Sequence, residues 1–157
     1  MVGAGALVIC GLPSVAGAAA PTTSTFTLTG SVSGTLTMAN GPCDEIGGYG
    51  GEFAYYQKLS GSSAENAKNW TVNVNALGHK KGGTFTKMGG LLGNGVSIVL
   101  SGSNGKQDYL WASKSGKIVT TTTSGTANVL LVPDRSFTGK PGEGNIQIKG
   151  SWGCNPN

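Results

Sequence analysis

The sequence is poor in the groups that perform covalent chemistry. It holds one histidine, His79, with three cysteines and seven carboxylates among 157 residues. A serine hydrolase needs a histidine within hydrogen-bond reach of a serine, and an acid that orients it. Ser97, Ser101 and Asp108 are present, but no G-x-S-x-G segment supplies the strained turn on which such a nucleophile is presented. His79 lies in Gly78-His79-Lys80-Lys81-Gly82-Gly83, where a solvated turn residue is the simpler reading. One histidine and two paired cysteines cannot close a zinc site. The acids lack calcium-loop spacing, with only Asp44 and Glu45 adjacent, so no metal and no cofactor are expected. Gly105-Lys106, Gly116-Lys117 and Gly139-Lys140 lack the following Ser or Thr, and the strand-to-helix setting, of a phosphate loop. Two carboxylates facing across a cleft could still hydrolyse a glycosidic bond, and spacing alone does not exclude it. The expectation is therefore a non-catalytic protein, with a small secreted hydrolase as the alternative.

Binding chemistry is better represented. The turn His79-Lys80-Lys81 suits an anionic lipid or wall polymer, each lysine contributing about 1 kcal/mol near such a surface. Tyr109 and Trp111 share one phase of an alternating segment and Leu110 takes the other. Either face could be the buried one: an exposed Tyr109 and Trp111 pair would stack a sugar or a protein partner, and a place in the core is the alternative. Trp70 shares its phase with Val72 and Val74, and Trp152 with Ile146 and Ile148, which makes both core residues. The net charge of +4 is spread thinly over many loops and does not form the basic stripe of a nucleic-acid interface.

These candidates must be carried by strands. From Phe26 to Met38 every second residue is apolar or glycine, and the positions between are all threonine or serine. This gives one long half-buried strand, or two strands meeting at a corner near Gly30 and Gly34. Alternation recurs at Phe53 to Leu59, Trp70 to Ala76, Val96 to Leu100 and Ile146 to Trp152. The segment Ala127 to Val132 is apolar on both faces, as a central strand would be. Ser103-Asn104-Gly105 and Ser115-Gly116 read as turns. No segment has helical period. The 28 glycines and the low charged fraction of 11% fit an ordered chain rich in turns. The expected fold is all-β and mostly antiparallel: a two-sheet, immunoglobulin-like sandwich, with a closed up-and-down barrel as the alternative.

The uncharged run at residues 1 to 18 is expected to be an export signal, lacking the usual basic opening and cut after Ala18, where Ala16 and Ala18 supply small residues. A single secreted domain, 19 to 157, would remain, with no transmembrane segment. A rival reading makes Cys10 a lipidated, membrane-anchoring cysteine, against which bulky Ile9 counts. With Cys10 removed or acylated, Cys43 and Cys154 are left as an even pair, which in an exported domain reads as one disulfide.

Leu92-Gly93-Asn94-Gly95-Val96-Ser97, the threonine-rich strand after Ser115-Gly116-Lys117, and the closing Ile146-x-Ile148 strand with Cys154 resemble the mycobacterial LpqH-type lipoprotein antigens and related small secreted actinobacterial β-domain proteins. The resemblance covers about the last 65 residues. It implies an exported envelope β-domain with an early-to-late cysteine bridge and no established enzymatic activity. Function is thus expected to be binding at the cell envelope, to an anionic lipid, wall polymer or protein. A purely structural surface role is the further alternative.

Overall fold

The computed structural model describes residues 23–40, 52–55, 60–61, 67, 69–77, 82–88, 95–121, 123–135 and 140–153. Alternation does set the strands. In β1 (Thr23–Gly30), Ser24, Phe26 and Leu28 are buried, while Thr27 and Thr29 face solvent. The chain reverses at Ser31 into β2 (Val32–Ala39), so the long ribbon is a hairpin, with Leu28 opposite Gly34 and Phe26 opposite Leu36. Gly30 adopts φ 119°, and a side chain there would meet the Asn145 carbonyl.

The remaining strands are β3 (Glu52–Tyr55), β4 (Ser60–Gly61), β5 (Asn69–Leu77), β6 (Gly83–Phe85), β7 (Gly95–Ser103), β8 (Asp108–Thr120), β9 (Ser124–Pro133), β10 (Lys140–Pro141) and β11 (Ile146–Gly153). No helix occurs among the described residues, and none is long and apolar enough to cross a membrane. Hydrogen bonds link the strands in the order β3-β5-β7-β8-β9-β11-β1-β2-β4, while β6 and β10 pair with β8. Every pairing in that path is antiparallel, while β10 runs parallel to β8. β9 lies between β8 and β11, the central place expected of a strand apolar on both faces.

The chain is all-β, but the ladder forms one antiparallel sheet curled into a half-barrel, in place of two separately bonded sheets. Curling follows from burial. Phe26, Leu36, Trp70, Ile98, Trp111, Val129 and Ile148 come from seven different strands yet join one apolar cluster, which a flat sheet could not gather. Apart from the short β4, β6 and β10, the order is that of an up-and-down meander whose last strand returns to its first. Cα atoms of β2 and β3 come within 8 Å, and no ladder joins these two strands among the described residues.

One buried hydroxyl both closes the open end of the hairpin and ties it to the last strand. The Ser24 hydroxyl is fully buried; it donates to Asn40 Oδ1 at 2.9 Å and accepts from the Gly153 N–H at 3.0 Å. Ser24→Ala leaves that N–H without its acceptor, and the expected loss is about 1–3 kcal/mol of unfolding free energy. Urea titration measures it, and an unchanged midpoint would show that the tie contributes nothing.

Candidate functional site

Alternation that buries one face of a strand exposes the other, and on β8, β9, β11 and β1 the exposed faces form a groove of about 790 Å³. It is lined by Thr25, Thr27 and Thr29 of β1, Lys117 and Val119 of β8, Thr126 and Asn128 of β9, and Gln147, Lys149 and Ser151 of β11. No acid and no aromatic ring is among its lining residues.

Register arranges these side chains in rows across the strands. In the middle row Lys117 lies opposite Asn128, Asn128 opposite Lys149, Lys149 opposite Thr27, and Thr27 opposite Thr35. The row beside it runs Val119, Thr126, Ser151, Thr25, Thr37. On the other side it runs Ser115, Leu130, Gln147, Thr29. The two lysines are thus two strand spacings apart, about 10 Å, with Asn128 between them. Gln147 Nε2 donates to Asn128 Oδ1 at 2.8 Å. That bond takes one lone pair of the amide oxygen and turns the oxygen toward Gln147, which leaves the NH₂ on the other side of the amide.

A bulge in β8 puts Lys117 on this face. Ser113 pairs with Leu131 and Ser115 with Leu130, so Lys114 is an extra residue in the ladder. Without it strict alternation from buried Trp111 would turn Lys117 inward and Ile118 outward; with it Ile118 is fully buried and Lys117 exposed. Ser115-Gly116, expected to be a turn, therefore lies inside one 13-residue strand.

The residues singled out in the sequence fall elsewhere. Cys10, Cys43, His79, Lys80, Lys81 and Cys154 lie outside the described residues. Tyr109 is half-buried and packs against the core. Trp111 corrects the expectation of an exposed aromatic pair: it is fully buried and stacks on Trp70 at a centroid distance of 6.3 Å. Its Nε1–H donates to the Gly144 carbonyl at 3.0 Å, and the Gly142 backbone lies directly on its ring. A binding surface therefore cannot include this indole. Nor do hydrolase parts assemble around the buried Ser97. It pairs with Asn75, while Asp108 pairs with Ser103, six residues farther along β7 and so about 20 Å away. No cluster of three or more metal-ligating side chains occurs among the described residues.

The groove thus has the chemistry of a binding face: two ammonium groups, two amides and a field of hydroxyls, without a nucleophile and base pair. The sequence signal for its β1 wall was the run of outward threonines that includes Thr27 and Thr29. The lysines carry no local signal, because Lys117 and Lys149 meet only through register. Comparison of the chain with protein-family models, with curated proteins and with solved structures finds no match.

Proposed function

We propose that this chain is an exported, non-catalytic binding protein of the cell envelope, built on an up-and-down barrel left open along one seam. Its ligand is held on the outer face of β8, β9, β11 and β1. The observation that carries this reading is the middle row, in which Lys117 and Lys149 flank Asn128 in a groove that no described acid lines. Opposite charge in a recess raises the local concentration of an anionic partner and is weakened by salt. The export expectation rests on the uncharged opening run and on the resemblance to secreted actinobacterial β-domains.

Co-sedimentation of the purified domain with isolated cell-wall material, at low and at physiological salt, tests the reading. Wild type is expected to sediment with the wall. Lys117→Gln/Lys149→Gln should bind about 30-fold more weakly, from about 1 kcal/mol per lysine. A Lys80→Gln/Lys81→Gln variant gives the share of the basic turn. If the wild-type domain stays in the supernatant at both salt concentrations, the envelope-binding reading fails.

A further inference from the structure

We propose, resting on that reading of the face, that the groove takes a linear polyol-phosphate polymer, one phosphodiester sitting over Asn128 between Lys117 and Lys149. Neighbouring strands are about 4.8 Å apart, less than the reach of an extended lysine, so both ammonium groups can meet above the intervening asparagine. Asn128 adds its NH₂ from beneath, because the 2.8 Å bond from Gln147 Nε2 holds its oxygen turned aside. Donors thus approach one point from three adjacent strands.

That arrangement selects among anions. A tetrahedral phosphate offers oxygens in several directions and is well served by lysines acting as point charges. A planar carboxylate is best met by the fork of an arginine, and none lines the groove. The rest of the ligand is constrained too. Thr25, Thr27, Thr29 and Ser151 can both donate to and accept from hydroxyls along a polyol. With no aromatic ring in the lining, sugar rings and nucleobases have nothing to stack on. A bilayer is disfavoured on shape and chemistry, because Val119 and Leu130, the apolar side chains in these rows, are each only partly exposed and form no patch that could insert among lipids.

Gln147 is assigned as a positioning residue. It touches the ligand's seat only through Asn128, and its loss frees that amide to turn its oxygen toward the phosphate. The lysines set charge and so the salt dependence; Gln147 sets orientation and leaves the salt dependence unchanged.

The test is titration of the folded domain with poly(glycerol phosphate), with polygalacturonate, neutral dextran, a single-stranded oligonucleotide and phosphatidylglycerol vesicles as comparisons. Poly(glycerol phosphate) is expected to bind most tightly. Lys117→Gln/Lys149→Gln should weaken it about 30-fold and flatten the salt slope. Gln147→Ala should weaken it about 3- to 10-fold at unchanged slope, one lost orienting hydrogen bond. Equal or tighter binding of polygalacturonate, oligonucleotide or vesicles would overturn the assignment, as would a slope that Gln147→Ala changes as much as the lysine variant does. A domain that sediments with wall but ignores poly(glycerol phosphate) rejects this inference and leaves the envelope-binding reading standing. A domain that binds neither rejects both.

Discussion

Trp111→Ala is expected to lower the unfolding free energy by about 3–5 kcal/mol, a large part of the roughly 5–15 kcal/mol that holds a domain together. Three separate losses combine there. The indole is fully buried, so its removal leaves a cavity in the curled sheet. Its stack on Trp70, at an interplanar angle of 27°, joins β8 to β5 across β7. Its Nε1–H anchors the Gly144 carbonyl while Gly142 rests on the ring, so the segment between β10 and β11 is built on this side chain. Trp70 supplies the comparison, since its own Nε1 is buried with no hydrogen-bond partner among the described residues. Trp70→Phe discards an unsatisfied donor, whereas Trp111→Phe discards a bonded one and leaves the exposed Gly144 carbonyl to water. Trp111→Phe should therefore cost about 0.5–1.5 kcal/mol more than Trp70→Phe. Equal costs in urea unfolding would refute the bonded role of Trp111. Folded Trp111→Phe should keep the outer-face binding of wild type, because the indole lies on the opposite side of the sheet.

The inward face of this fold was legible because period two is a local property. The β1–β2 hairpin illustrates both the reach and the limit of such reading. Its reversal pairs Leu28 with Gly34 and Phe26 with Leu36, even residues with even ones. The same parity therefore faces the core before and after Ser31, and a hairpin reads as one continuous strand. Burial was predicted correctly at Phe26, Leu28 and Leu36 while the connectivity stayed ambiguous. Alternation also cannot distinguish two facing sheets from one curled sheet, since either buries one face of each strand. Trp111 was ambiguous for a related reason: it and Leu110 lie on opposite faces, and only the segment 142–144 covering the indole decides which face is inside.

The candidate groove depended on information the sequence does not hold locally. Thr27, Lys117, Asn128 and Lys149 are spread over more than a hundred positions and become neighbours only because β1, β11, β9 and β8 are adjacent in register. Counted along the chain, the lysines looked like dilute charge. Across the sheet they share one row. The bulge at Lys114 adds a second obstacle, because it resets the alternation of β8 midway and hides the outward phase of Lys117.

Gly116→Ala should show how strongly that bulge couples fold to site. Gly116 has φ +134°, a backbone region that side-chain-bearing residues rarely enter, and it directly precedes Lys117. A methyl group there would collide with the Asn128 carbonyl oxygen and lie 2.7 Å from Val129 Cα. Both are backbone atoms of β9, a strand paired on both sides, so neither can move away as a flexible side chain could. Strain and overpacking together should cost about 2–5 kcal/mol. Gly105 is the control: its φ is +84°, but nothing lies within 4 Å of an added methyl group, so Gly105→Ala should cost only about 1 kcal/mol of backbone strain. The two variants should also separate in binding. Relief of the Gly116 clash requires β8 and β9 to part beside Lys117 and Asn128, which pulls apart the donors proposed to share one phosphate. Folded Gly116→Ala should thus bind poly(glycerol phosphate) more weakly than wild type, while Gly105→Ala, in the turn between β7 and β8, should match it. Equal stability losses for the two alanines would mean that β8 can leave the Asn128 carbonyl without cost. The bulge would then have no hold on the position of Lys117.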